Sequence, residues 1–146
     1  MIVDANVLLY AVAQQSPHHR AAAAWLDRAL AGGARVGLPW QTIGAFLRIS
    51  THPRIPTASL TPGQAHEVMD GWLRSPAVWV PPATERTVAI YAELALRHHV
   101  TGNLVTDAQL AALALENGVA VVSADSDFAR FTEVRWINPL TERPGP

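Results

Sequence analysis

The sequence predicts an α/β fold, a three-layer α/β/α sandwich around a central, mainly parallel sheet of four to five strands. Three observations lead there. Apolar segments too short for helices recur along the 146 residues. Longer stretches with apolar residues at helical spacing separate them. Helix-opening and helix-closing residues (Ser16-Pro17, Gly32-Gly33, Thr61-Pro62, Gly118) fall at the junctions. Such alternation places helices on both faces of a parallel sheet with right-handed crossovers. It also puts working residues at the carboxyl ends of the strands, near the point where strand order reverses.

Residues 1–3 read as a short buried strand and 5–13 as a helix, although the β-branched content of 5–13 blurs the distinction. A helix opens at Ser16-Pro17 and runs to Leu30, with Ala22, Trp25, Leu26 and Ala29 on one face. Residues 35–38 form a strand, and a helix over 40–50 stops before Pro53. Thr61-Pro62 opens a helix that ends near Leu73 ahead of Pro76. A strand at 77–80 precedes a helix over 84–98, which places Val88, Tyr91, Ala92 and Ala95 at helical spacing. Residues 101–103 turn into a helix over 104–117. A strand at 119–122, a short helix at 125–131 and an edge strand at 134–137 complete the series. Residues 1–140 are expected to form one domain and 141–146 a flexible tail.

Composition removes several classes. The chain has no cysteine, which excludes disulfides, zinc–thiolate sites and thiol catalysis. All 11 basic residues are Arg, so there is no Schiff-base, P-loop or phosphoaspartate-partner lysine. A net charge of −1 supplies no global field for nucleic acid. No apolar run reaches the ~20 residues of a membrane span, and the N-terminus lacks the pattern of a secretory signal. The expected location is cytoplasmic.

Six Asp remain to be placed. Asp27 and Asp70 sit among polar helix neighbours and read as surface. Asp4 directly follows the first strand, Asp125 and Asp127 follow the fourth, and Asp107 lies in the first turn of the helix before the fourth. If those two strands are neighbours, all four carboxylates meet at one edge. Each alone reads as a helix cap. Together they do not, because two carboxylates ~4 Å apart repel by roughly 4 kcal/mol at an effective dielectric near 20. A divalent cation removes that conflict, and oxygen-only donors favour Mg²⁺ or Mn²⁺.

The segments MIVDANVLLYAV, LPWQTIGAFLRISTHPRI, TGNLVTDAQLAALALENG, VVSADSDFARF and RWINPL, in that order, resemble the PIN-domain family, and more narrowly the VapC toxins of type II toxin–antitoxin pairs. The resemblance spans nearly the whole chain. It implies a PIN-like α/β/α domain and an Mg²⁺- or Mn²⁺-dependent endoribonuclease that cleaves RNA phosphodiesters. It also implies a homodimer and a cognate VapB-type antitoxin. Carried over by position, the metal ligands are Asp4, Asp107 and Asp125, Asp127 joins the catalytic set, and Asn6 and Ser123 support the acidic pocket. One departure stands out. Where many PIN domains carry a Glu after the second strand, this chain has Ala45, with Gly44 before it. That leaves one carboxylate fewer and bears on a second metal site.

Other features are weaker. His66-Glu67 with Asp70 lacks the second His of a metalloprotease motif. His18-His19 and His98-His99 mark helix ends. Arg48 and Arg54, in RISTHPR, read either as helix-end capping or as RNA-phosphate contacts near the acids. Trp40 is expected in the core or at an interface rather than under a base. Receiver domains and haloacid-dehalogenase-like phosphatases also place an Asp after a first strand, but both normally need a Lys. The alternative that stays open is a PIN-fold interaction module with weak or lost nuclease activity.

Overall fold

The computed structural model describes residues 1–54 and 59–141; of the expected tail at 141–146, all but residue 141 lies outside the described residues. Five strands form one all-parallel sheet in the order β3-β2-β1-β4-β5. They are β1 (Ile2–Val3), β2 (Val36–Gly37), β3 (Val78–Trp79), β4 (Val121–Val122) and β5 (Trp136–Ile137). Six helices connect them: α1 (Ala5–Val12), α2 (His19–Ala31), α3 (Trp40–Ser50), α4 (Pro62–Leu73), α5 (Glu85–Arg97) and α6 (Leu104–Glu116). A 3-10 helix, Ser126–Arg130, joins β4 to β5. Chain order steps outward from β1 through β2 to β3, then returns to the other side of β1 as β4 and β5. The switch point therefore lies between β1 and β4.

Each two-residue strand serves two layers, because successive side chains point to opposite faces. Ile2 and Val121 bury into the layer built on α5, α6 and the 3-10 helix, with Leu94, Leu110, Leu113, Phe128 and Phe131. Val3 and Val122 bury into the layer of α1 to α4, with Leu8, Trp25, Leu26, Phe46 and Met69. Each such aliphatic side chain contributes about 1.5–3 kcal/mol of transfer free energy. The ladder reaches beyond the strands: the Asp4 N–H donates to Val122 O (2.9 Å), Leu38 N–H to Trp79 O (2.9 Å) and Ser123 N–H to Ile137 O (3.1 Å). Gly37 is required by close approach. A Cβ there would stand 2.8 Å from Ile2 Cδ1 and 3.1 Å from Trp79 Nε1.

Two local expectations need correction. α2 starts at His19, not at Ser16-Pro17. The Ser16 hydroxyl accepts from the His18 N–H (3.2 Å) and its carbonyl from the His19 N–H (3.1 Å), so Ser16 closes a turn before the helix begins. On α5 the buried face runs through Thr87 and Leu94, with Ile90 and Tyr91 packed against the core, while Val88 is 66% exposed. The helix is rotated from the expected face because the Thr87 hydroxyl is drawn inward to Glu116 and accepts from the Thr84 N–H (2.9 Å). The Thr61-Pro62 opening stands as expected, with Thr61 and Gln64 exchanging bonds of 3.2 and 2.9 Å in a capping box.

Candidate metal centre at the strand tips

The β1–β4 pairing sets Asp4 beside Ser123, 119 residues later. Asp4 stands where α1 begins but makes no side-chain capping bond. Its Oδ2 accepts instead from the Ser123 hydroxyl (2.7 Å) and the Asn6 amide (2.8 Å). Asn6 Nδ2 also donates to Ser123 Oγ (2.9 Å), and Asn6 Oδ1 accepts from the Ala124 N–H (3.2 Å). Ser123 Oγ further accepts from the Asp125 N–H (3.0 Å). The Trp136 indole pins the Ser123 carbonyl from β5 (2.9 Å). Ser123 is fully buried. This network locks Oδ2 of Asp4 in place.

The carboxylates of Asp107, Asp125 and Asp127 lie together, with one oxygen from each within 4.8 Å of the others. Asp125 caps the 3-10 helix by accepting from the Asp127 N–H (2.9 Å). Asp107 projects from the first turn of α6 and has no hydrogen-bond partner among the described residues. Its surroundings are hostile to charge. Burial, and then the negative charges of Asp4, Asp125 and Asp127, push its pKa up to about 6. Burial also raises Asp4, with a contribution from Asp125, against the opposing bond from Ser123. All four predicted acids thus interact at one edge. From the sequence, Asp127 is the weaker member beside the ligands Asp4, Asp107 and Asp125. The geometry groups it with Asp107 and Asp125, while Asp4 borders the trio.

The donor set is all carboxylate oxygen. It suits a hard divalent cation such as Mg²⁺ or Mn²⁺, and like-charge crowding at Asp107 is the conflict such an ion relieves.

Thr42, which sequence reasoning passed over, ties α3 to this edge. Its buried hydroxyl donates to the Val3 carbonyl (2.7 Å), next to Asp4. A lone Thr in a helix's first turn carries no signal for that role. Ala45 lies one turn further on and is half-buried, while Gly44 is exposed. Arg48 sits on the last turn of α3, six residues and about 9 Å beyond Thr42. Arg48 and Arg54 are both exposed, and Arg54 lies beyond the end of α3 at Ser50. Trp40 is 73% exposed, so the core half of its expectation is corrected. His66 and Glu67 face solvent, and Asp70 pairs with Arg74, as a surface helix face requires.

The chain matches the PIN domain over residues 1–134. It is 44% identical to Ribonuclease VapC37 of Mycobacterium tuberculosis over 94% of its own length and 96% of that protein. It is 38% identical to Ribonuclease VapC33 of the same species, over 97% and 99%. Its backbone resembles VapBC2 from Rickettsia felis, solved bound to a promoter DNA fragment, with a TM-score of 0.71 at 13% identity, covering 94% of this chain and 96% of that one. FitAcB from Neisseria gonorrhoeae gives 0.69 at 22% identity, covering 97% and 99%. The strand order, the acidic switch point and these relatives lead to one conclusion: the chain belongs to the PIN-domain family, among its VapC ribonucleases.

Proposed function

We propose that this protein is a Mg²⁺- or Mn²⁺-dependent endoribonuclease and the toxin of a VapBC-type pair. The observation that carries the reading is the gathering of Asp107, Asp125 and Asp127 within 4.8 Å beside a hydrogen-bonded Asp4. Asp107, Asp125 and Asp127 would hold the ion, with the Asp4 carboxylate beside them. Bound there, a divalent ion would supply Lewis-acid chemistry at a phosphoryl oxygen and at water. Asn6 and Ser123 fix Asp4, so its charge does not swing away when RNA approaches. Asp127, exposed at the rim, orients the attacking water. Ser123, held from β5 by Trp136, couples the sheet to the site.

The surplus negative charge also suits an Arg or Lys from an antitoxin, which substitutes for the metal's charge. The solved relatives named VapBC and FitAcB support an antitoxin partner. Exposed apolar residues support a homodimer: Trp40 at 73%, Val88 at 66% and Val80 at 48%. High-salt gel filtration of a co-expressed pair tests both; recovery of free monomer alone counts against them. The deciding experiment for the activity is cleavage of single-stranded RNA in Mg²⁺ or Mn²⁺, with EDTA and Asp107→Asn as controls. Full cleavage by Asp107→Asn would sink the assignment. A second reading, a non-catalytic interaction module, is favoured by the missing acid on α3 alone. It requires Mn²⁺ binding to be weak or absent.

A further inference from the structure

Beside the acids lies a second feature that the metal reading does not use. Asn6 and Tyr10 stand one turn apart on α1. With Ala124, Asp125 and Ser126 they line a cleft of about 360 Å³, within the ~300–1,000 Å³ range of small-ligand clefts. One wall of this cleft, Asp125, belongs to the acidic group. The Asn6 amide is committed to Asp4, Ser123 and Ala124. The hydroxyls of Tyr10 and Ser126 have no partner among the described residues.

The Tyr10 ring is held rather than loose. The exposed His18 ring packs edge-on against it at 4.9 Å and 62°. The His19 ring bonds the Tyr10 carbonyl at 3.1 Å, which fastens the start of α2 to the end of α1. Its α1 neighbours Val7 and Leu8 are fully buried, whereas Tyr10 is half-buried and opens to the cleft.

The chemistry of the walls selects the occupant. No Arg or Lys among the described residues lines the cleft, so nothing among its walls clamps the phosphate backbone of a nucleic acid. A neutral base suits it. Its face stacks on an aromatic ring, and its polar edge meets the Ser126 hydroxyl. We propose that Tyr10, with His18 at its edge and Ser126 opposite, forms a stacking subsite for the RNA base next to the scissile phosphate. The inference rests on the ribonuclease reading and adds a determinant of where the strand is cut.

The test compares wild type, Tyr10→Leu, Tyr10→Phe and His18→Ala on a mixed-sequence single-stranded oligoribonucleotide. KM, kcat and the cut positions are measured. Tyr10→Leu is expected to raise KM about tenfold by loss of one stacked base, with little change in kcat and an altered preference at the nucleotide beside the cut. Tyr10→Phe keeps the ring and should keep KM and most of the preference. A folded Tyr10→Leu with wild-type KM and cut pattern overturns the subsite. If Tyr10→Leu does not fold, an unchanged cut pattern in His18→Ala overturns it instead. If wild type cleaves no RNA, the nuclease reading falls, and anisotropy of the labelled oligonucleotide in Ca²⁺ decides the subsite separately. Binding that Tyr10→Leu weakens supports it, and no binding, or equal binding by both proteins, overturns it.

Discussion

Two pairs of carboxylates in this chain have opposite fates. Glu116, at the end of α6, accepts bonds from the Thr84 hydroxyl (2.5 Å) and from Thr87, and these hold it below its ordinary pKa. Glu133 lies between Arg97 and His98. Burial pushes Glu133 upward, yet the bonds from Arg97 (2.5 Å) and His98 (2.9 Å) leave it below the usual range. Asp4 and Asp107 shift the other way: burial raises both, Asp4 despite its bonds from Ser123 and Asn6, and Asp107 with carboxylates as neighbours and no donor among the described residues. The glutamates fasten α5 to α6 and to the turn before β5. Asp4 ties the tips of β1 and β4 through Ser123, but Asp107 fastens nothing among the described residues, and the fold holds it against the repulsion of its neighbours. An acid whose pKa is raised without a compensating donor is a candidate for work rather than for stability.

That contrast is broken most forcefully at Asp107. Asp107→Asn, and separately Asp4→Asn, should lower metal-dependent RNA cleavage by at least about a thousandfold, near 4 kcal/mol of barrier. Circular dichroism should show the fold unchanged. Retained activity in either variant would remove that residue from the centre.

The next largest effect is on pH. A proton competes with metal at Asp107 below about 6. Calorimetric Mn²⁺ affinity should therefore hold above that pH and fall by up to about tenfold per unit below it. A flat profile down to pH 4.5 would show that Asp107 is not a ligand.

Melting temperatures then separate the two pairs. The raised pKa of Asp107 means that the folded state holds its proton more tightly than the unfolded chain. The resulting penalty grows from about pH 4 to 6 and is complete above 6. Asp107→Asn should raise the metal-free Tm by about 2–4 °C at pH 7.5 and by little at pH 4. Glu133 has the opposite sign. Its contribution is present above the unfolded carboxylate value and is lost as pH falls through the depressed one. Glu133→Gln should therefore lower Tm by about 2–4 °C at pH 7.5. Shifts of the same sign in the two variants would erase the distinction.

The smallest effect is expected at Ala45. Ala45→Glu should strengthen Mn²⁺ binding if its side chain reaches the Asp4 edge. Gly44→Glu, on the exposed side of α3, should not. Two equally tight sites in the wild type, or no gain at Ala45, would show that α3 takes no part.

The sheet was legible because its strands are apolar runs bounded by strong punctuation, with Asp4 directly after β1 and Asp125 separated from the end of β4 only by Ser123-Ala124. The acidic site was legible for the same reason: Asp4, Asp125 and Asp127 need only the β1–β4 pairing to meet. Features that depend on helix rotation were not. The sequence alone does not show that Val88 faces outward, that Trp40 lies in solvent, or that Thr42 reaches the Val3 carbonyl. Small rotations of a helix with apolar residues on several sides alter those outcomes without altering the pattern. Tyr10 was hidden for a related reason, since an aromatic residue in an apolar helix reads as core. The Ser16-Pro17 signal misled by two residues because serine's donors and acceptors serve a turn as readily as a helix.

The bond between Asp4 and Ser123 links residues 119 positions apart. A ribosome adds some 5–20 residues each second, so the first acid waits several seconds for the strand that completes its setting. Until β4 has emerged, Asp4 has neither Ser123 nor Asp125 beside it, and β1 lacks one of its two neighbours. The unfinished polypeptide therefore contains no assembled acidic centre at any earlier length. In a molecule whose proposed activity attacks RNA, the order of the strands delays that activity until β4 and the acids that follow it have been made.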